Sequence, residues 1–306
     1  MSRPRKAASR PVERHGNAVG LKAGATTSQL FLFAGAGCEW REVAPLAALV
    51  EDPWSVIGIE AWRPTGSSTR PPRTVEEMAD VAHQAVKAEQ AHGPYNLAGF
   101  SFGGLVAFEV AGLLVRSGEQ VELLALIDCH MHHRFWSVPQ RLHRTFNQAV
   151  RIVRMPAALR FAKARRNARR IASRLVGRVR RETVVAPTPL KRCDAAYAMY
   201  RPRAYSGPMT LLGPDRSREL GVDLPRLWRG YAGAIEVSRV AGRHHELVRS
   251  GHHIKELARA LNDALPRLPA PQRNASNVAA SKPRRTRIAA GGSAGPRLKA
   301  RHPALI

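Results

Sequence analysis

A serine lies in a short glycine-rich segment whose residue types suit nucleophilic catalysis. The segment is Gly99-Phe100-Ser101-Phe102-Gly103-Gly104, which fits the pattern G-x-S-x-G. In that pattern a strand ends in a sharp turn that exposes the serine hydroxyl, and the helix that follows aims its N–H groups at a developing oxyanion. We interpret Ser101 as a nucleophile; the alternative is a glycine-rich turn in which the serine only caps a helix. A neutral serine also needs a base, and the base needs an orienting acid.

The elements that must position this serine form an alternating series along the chain. Apolar runs that read as strands are Gln29–Phe33, Ser55–Ile59, Tyr95–Gly99, Val121–Ile127, Met209–Leu212 and Ile235–Val237. Helical patterns are Trp40–Val50, a segment capped by Thr74 and ending near Ala91, Phe102–Arg116 and Glu246–Leu265. Continuous apolar strands that alternate with helices are typical of a parallel sheet covered on both faces. The predicted fold class is therefore α/β.

Residues 130–195 interrupt this alternation with one long insertion. Leu142, Phe146, Val150 and Val153 recur at helical spacing, and the pattern is repeated by a second apolar series centred on Leu175. Two amphipathic helices must lay their apolar stripes on something, and the nearest candidate is the open C-terminal edge of the sheet, where ligands bind. We expect a lid over an active site; the alternative is a peripheral helical hairpin.

Positive charge is concentrated in three segments. The 306 residues include 49 Lys and Arg and 23 Asp and Glu, for a formal net charge of +26. Residues 130–195 hold 17 basic and 2 acidic residues, and residues 266–306 hold 9 basic and no acidic ones. Residues 1–25 add +5, which leaves the rest of the chain near neutral. Because both ends of the chain contain few large apolar residues, we predict disorder over residues 1–27 and 268–306.

The composition argues against several classes of function. Basic segments can neutralise phosphates, but no zinc-finger spacing or aromatic RNA-binding signature accompanies them, so we expect no specific nucleic-acid partner. No run of about 18 uncharged apolar residues occurs, so we expect no membrane span. The N-terminus lacks the apolar centre of a secretory signal, and the 3 cysteines form no C-x-x-C pair. These features favour a cytoplasmic protein.

Histidines cluster in two places, and neither cluster has the spacing of a metal site. His245-Glu246 begins like the zinc pattern H-E-x-x-H, but Arg249 occupies the place of the second histidine. His130, His132 and His133 follow a predicted strand, and we interpret them as residues of the site mouth or lid. We therefore expect no metal.

The sequence resembles the thioesterase domains of polyketide and non-ribosomal peptide synthetases, which have the α/β-hydrolase fold. The most specific match is Gly93–Gly104, and the other matching stretches are Leu30–Gly37, Thr74–Met78, Leu123–Asp128 and Val240–Val248. The resemblance covers about residues 28–267. It implies one hydrolase domain over that range, with residues 130–195 as a variable helical lid.

The resemblance also implies a catalytic triad. Ser101 would be the nucleophile, and His244 would be the base, in a Gly-x-His loop after the last strand; His245 is the neighbouring alternative. The acid would be Asp128, at the end of the next strand after Ser101, as in synthase-embedded members. Asp215 is the alternative acid, since it occupies the place used by other α/β hydrolases and some free-standing members.

Two backbone N–H groups would form the oxyanion hole, one from Phe102 and one from the loop after the first predicted strand, where we assign Ala36. The loop departs from the family pattern: Cys38 stands where a second glycine is usual, and Ala34 where histidine or proline is common. Because the donors are backbone groups, activity can survive these side-chain changes.

A thioesterase of this kind would take an acyl, peptidyl or polyketide chain from the phosphopantetheine arm of a carrier protein, through an acyl-serine intermediate. The expected partners are an acyl or peptidyl carrier protein and the acyl chain itself, and no cofactor is expected. A carboxylesterase or acyltransferase with the same triad, and a non-catalytic binding protein, remain alternatives. The basic termini, in place of neighbouring synthase modules, favour release or editing in trans.

Overall fold

The computed structural model describes residues 14–37, 39–64, 70–161, 188–214, 223–249 and 251–267, together with positions 165 and 168. The chain divides into two compact units, Met1–Pro266 and Arg267–Ile306, and the described elements lie in the first.

The strands of the described residues form one mixed sheet in the order β1-β2-β4-β3-β5-β6-β7-β8. They are Arg14–His15 (β1), Ala18–Lys22 (β2), Gln29–Phe33 (β3), Ser55–Ile59 (β4), Tyr95–Phe100 (β5), Val121–Ile127 (β6), Tyr205–Gly213 (β7) and Ala232–Arg239 (β8). Strands β3 to β8 pair in parallel, whereas β1 and β2 are antiparallel additions at one edge. The predicted α/β class with a mostly parallel sheet is therefore confirmed.

Helices connect the strands and pack against the sheet. They are Ala44–Ala47 (α1), Val75–Glu89 (α2), Phe102–Arg116 (α3), Val138–Val153 (α4), Pro189–Met199 (α5), Leu224–Trp228 (α6) and His253–Ala264 (α7), with short 3-10 turns at Trp40–Glu42 and His133–Phe135. Helix α2 packs with α3, and α1 packs with α7. The central strands are buried along almost their whole length: every residue of β5 is buried, and in β6 only Glu122 is exposed. This burial explains why those strands are continuous apolar runs.

Thr74 caps the start of α2, as the sequence predicts. The Thr74 hydroxyl accepts a hydrogen bond from the Glu77 N–H at 3.1 Å, as an N-cap should. The Glu77 carboxylate in turn accepts a hydrogen bond from the N–H of Arg73, the residue before the cap, at 2.6 Å. The helix therefore begins where the sequence predicts.

The expectation of disorder across residues 1–27 does not hold for β1 and β2. Strand β2 pairs with β4, and Val19, which lies opposite Gly58, is fully buried. Lys22 fixes the end of the strand through a 2.7 Å contact with Asp52. A composition average over the arm hides this short apolar stretch, which gains stability only by adding to a sheet edge. Residues 1–13 and 268–306 lie outside the described residues.

Two predicted helices are shorter in the structure. The Trp40–Val50 pattern is divided between the 3-10 turn and α1. The closing helix begins at His253 instead of Glu246, because residues 244–249 form turns. His244 lies in the loop that precedes this helix, as expected from the sequence.

The basic insertion contains the first predicted amphipathic helix, α4, but its apolar stripe is not packed on the sheet. Leu142, Phe146 and Val153 are 65%, 66% and 69% exposed. The second predicted helix, centred on Leu175, lies outside the described residues. The lid therefore stays a prediction.

Candidate active site

Ser101 occupies the turn between β5 and α3. Its backbone has φ 55° and ψ −119°, a combination that non-glycine residues adopt only under strain. The turn is held by a hydrogen bond from the Ser101 N–H to the Ile127 carbonyl at 2.8 Å, which ties it to the end of β6. This is the strained strand-to-helix turn that the G-x-S-x-G pattern predicts.

Glycines allow the backbone around the serine to approach closely. A Cβ on Gly99 would lie 2.5 Å from the Gly103 carbonyl oxygen, so a larger residue cannot stand there. A Cβ on Gly103 would lie 2.2 Å from the carbonyl oxygen of Ala34. The first turn of α3 therefore packs directly against the loop that follows β3. That contact brings together the two segments assigned to the oxyanion hole.

The structure places His244 against Asp128. Asp128 follows β6, is fully buried, and has a positive φ of 44°, while its N–H donates to the Leu212 carbonyl at 2.7 Å. Its Oδ2 lies 2.6 Å from Nδ1 of His244. An ionised carboxylate can only accept hydrogen bonds, so a neutral His244 beside an ionised Asp128 carries its proton on Nδ1 and has Nε2 as an acceptor. A histidine in this tautomer can take a proton from a hydroxyl.

The orientation of the His244 ring is also set by a residue that sequence reasoning missed. Phe100, the last residue of β5, stacks on the imidazole with ring centroids 4.9 Å apart and an interplanar angle of 21°. Phe100 is buried, so its ring gives the imidazole a fixed surface. The only sequence signal for this contact was an aromatic residue directly before the serine. His245, the alternative base, is exposed, and its ring meets that of His244 edge to face.

The remaining predicted site residues fall into three groups. Phe102 is the first residue of α3 and is buried, so its N–H lies at the positive end of the helix. Ala36 is exposed in the loop after β3, beside Gly37, which has φ +102°. Asp215, the alternative acid, and Cys38 lie outside the described residues.

The residues after Asp128 belong to a packed aromatic cluster. His130 Nδ1 lies 2.7 Å from the Tyr197 hydroxyl, and burial, together with nearby positive charge, lowers the pKa of His132 and His133. Burial also raises the pKa of the Cys129 thiol well above its usual range, so this cysteine stays protonated. Within the described part of the chain, no group of three or more His, Cys, Asp and Glu residues could hold a metal ion.

This sheet, with a serine in its strained strand-to-helix turn, has the α/β-hydrolase fold. Residues 28–265 match the thioesterase domain family, and the chain belongs to that family. The resemblance noted in the sequence is thereby confirmed: this is a thioesterase domain akin to those of non-ribosomal peptide and polyketide synthetases. None of the described helices has the length and apolar character that crossing a bilayer would require.

Individual relatives and a solved structure support the assignment to this family. Enterobactin synthase component F from Escherichia coli (strain K12) is 41% identical over 103 residues, which are 32% of this chain and 8% of that protein. Vanchrobactin synthetase VabF from Vibrio anguillarum is 22% identical over 251 residues, covering 82% of this chain and 8% of that protein. The chain thus spans less than a tenth of the length of these two synthetases. Among solved structures, the NocB thioesterase domain in covalent complex with a fluorophosphonate nocardicin G analog is 26% identical, with a TM-score of 0.53, covering 79% of this chain and 96% of that one.

Proposed function

We propose that this chain releases an acyl, peptidyl or polyketide chain from the phosphopantetheine thioester of a carrier protein. The observation that carries the proposal is the 2.6 Å contact between His244 and Asp128, in a fold that also holds Ser101 in a strained strand-to-helix turn. Membership of the thioesterase domain family supports the choice of a thioester as substrate. The carrier protein and its phosphopantetheine arm belong to the substrate. The residues of this protein carry out the proposed chemistry.

In the proposed first step, Ser101 Oγ attacks the thioester carbonyl carbon and gives its proton to Nε2 of His244. The Asp128 carboxylate stabilises the imidazolium that forms. The carbonyl oxygen becomes an oxyanion, which accepts hydrogen bonds from the backbone N–H groups of Phe102 and Ala36. Such preorganised donors are worth about 3–4 kcal/mol each in transition-state stabilisation. The C–S bond then breaks, and the departing thiolate takes the proton from His244.

The second step releases the acyl group from Ser101. His244 removes a proton from water, or from a hydroxyl or amine of the acyl chain itself, and that nucleophile attacks the ester carbonyl of the acyl-enzyme. Collapse of the second oxyanion returns the proton to Ser101 Oγ. Water gives a free acid, and an internal nucleophile gives a ring.

A serine-directed fluorophosphonate probe with intact-mass readout tests the activated serine. We expect one adduct on the wild type, and no adduct on Ser101→Ala or on His244→Ala. His245→Ala is the matched control, because this exposed neighbour should label like the wild type. A folded wild-type protein that forms no adduct, or an adduct that survives Ser101→Ala, would contradict the acyl-serine mechanism and favour a non-catalytic role for the fold.

Turnover of matched substrates tests the thioester preference. The wild type is given an acyl thioester and the oxygen ester of the same acyl group. Faster turnover of the thioester supports the proposal. Preference for the oxygen ester would instead favour a carboxylesterase or acyltransferase that uses the same triad.

A further inference from the structure

A carboxylate outside the triad contacts the loop assigned to the oxyanion hole. Glu42 lies at the end of the 3-10 turn that follows this loop, and its Oε2 accepts a hydrogen bond from the Gly35 N–H at 3.1 Å. Only 19% of the Glu42 side chain is exposed, so this contact is well shielded from water.

Gly35 is closely confined between Glu42 and the aromatic ring that supports the histidine. A Cβ on Gly35 would lie 2.8 Å from Oε2 of Glu42 and 3.2 Å from the ring of Phe100. Because Phe100 also stacks on His244, Gly35 occupies a position common to the loop and to the proposed base. A small shift of Gly35 would therefore disturb both the oxyanion loop and the ring that stacks on His244.

The other side of the loop is open. A cavity of about 710 Å³ borders Ala36 and Gly37 and extends to Val248 and Arg249. Because this side of the loop faces a cavity, close packing does not hold it in place. Glu42 also lines the cavity, and its hydrogen bond with the Gly35 N–H holds the loop there. The Arg249 guanidinium lies 3.9 Å from the other Glu42 oxygen and partly offsets its negative charge.

We propose that Glu42 is a positioning residue for the oxyanion hole. Its carboxylate holds the Gly35 N–H and thereby sets the place of the next residue, Ala36, whose N–H is the assigned donor. This inference rests on the proposed acyl-serine mechanism. The required property of Glu42 is an oxygen acceptor of the right length, and its negative charge is incidental.

Two neutral variants of similar size separate the acceptor from the charge. Glu42→Gln keeps an oxygen that can accept from the Gly35 N–H, whereas Glu42→Met keeps the length of the side chain and loses that oxygen. We expect Glu42→Met to lower kcat, and the rate of fluorophosphonate labelling, by about tenfold or more, since misplacing an oxyanion donor weakens transition-state stabilisation. KM for a small acyl thioester should change less than about twofold, because ground-state binding does not use the oxyanion contact. Glu42→Gln should remain close to wild type in both constants.

Controls make the result specific to this contact. Glu39→Ala removes an exposed carboxylate of the same cavity, whose side chain makes no capping hydrogen bond, and should leave kcat unchanged. Thermal unfolding reports whether each variant is folded; should Glu42→Met fail to fold, Glu42→Ala gives the same comparison with Glu42→Gln.

Three outcomes would overturn the positioning role while leaving the proposed function intact: wild-type kcat in Glu42→Met, equal losses in Glu42→Gln and Glu42→Met, or a loss confined to KM. Failure of the proposed function itself is distinguishable, because the wild-type protein would then show no Ser101-dependent labelling at all.

Discussion

The hydrogen bond between Asp128 and His244 decides which nitrogen of the imidazole can serve as a base. With Nδ1 held by a buried carboxylate, the tautomer that leaves Nε2 unprotonated is the stable one. Asp128 can play this part because its positive φ turns the chain sharply at the end of β6, and Gly213 of β7 packs close beside it. The proposed acid is thus fixed by the sheet, whereas the proposed base lies on a loop.

Replacing the buried acid by its neutral isostere tests this assignment. We expect Asp128→Asn to lower kcat by up to about 10⁴-fold with little change in KM, because the amide no longer favours the productive tautomer or stabilises the imidazolium. Steady-state kinetics with a small acyl thioester measures this. Asp194→Asn, which neutralises an exposed carboxylate on α5, is the control and should behave like wild type. Wild-type kcat in Asp128→Asn would instead direct attention to Asp215.

Candidate site residues could be named from the sequence only where a local motif or the family resemblance marks them. Ser101 lies in such a motif, and His244 and Asp128 follow predicted strands at positions that the family resemblance marks. Phe100 and Glu42 gave no comparable signal. Their contacts with His244 and Gly35 arise from the way strands and loops pack, and a linear pattern carries no record of that packing.

At the scale of elements, the junction of β5, its turn and α3 is the feature on which the site depends. Helix α3 begins at Phe102, as predicted, and its first turn lies against the loop after β3 because Gly103 has no side chain. The same helix contains Gly112, where an added Cβ would meet only the end of the flexible Arg116 side chain. Gly103 therefore excludes a larger side chain, whereas Gly112 of the same helix can accept one.

Alanine at these two positions should change stability in opposite directions. Gly103→Ala places a Cβ against backbone that cannot move cheaply, and we expect a loss of about 1–3 kcal/mol or more. Gly112→Ala should raise stability by about 0.5–1 kcal/mol, since alanine loses less conformational entropy than glycine in a helix. Urea denaturation of both variants measures the difference. Equal effects at the two sites would show that the contact with the Ala34 carbonyl does not constrain the helix.

Element prediction succeeded where apolar runs were long and failed where structure depends on pairing. The central strands β5 and β6 and helix α3 follow directly from continuous apolar residues. Strand β2 was missed because five residues in a basic arm show no periodicity, and they form a strand only by pairing with β4. The sequence correctly predicted that the apolar stripe of α4 belongs to a helix. It did not predict that the stripe is exposed, since a stripe on a helix does not specify its partner.

On the scale of the whole molecule, positive charge is concentrated in particular segments of the sequence. Residues 130–195 hold 17 of the 49 basic residues, and residues 26–129 together with 196–265 hold slightly more acidic than basic ones. A field of this kind acts on a charged macromolecular partner far more than on a small neutral substrate. If the proposed partner is an acidic carrier protein, docking should therefore depend on salt, whereas the chemistry at Ser101 should not.

Salt titration with two forms of one acyl group separates these effects. Raising the ionic strength from about 20 mM to about 300 mM shortens the Debye length from roughly 20 Å to roughly 6 Å. We expect KM for the carrier-bound thioester to rise several-fold over that range, while KM for the same acyl group on a small neutral thiol, and both kcat values, stay nearly constant. The paired substitutions Arg141→Gln, on α4, and Arg154→Gln, directly after α4, both at exposed positions, should flatten the salt dependence. Lys255→Gln with Arg259→Gln, exposed on α7, should leave it unchanged. A salt effect of the same size on both substrates would instead locate it at the catalytic site, and the basic insertion would have no part in docking.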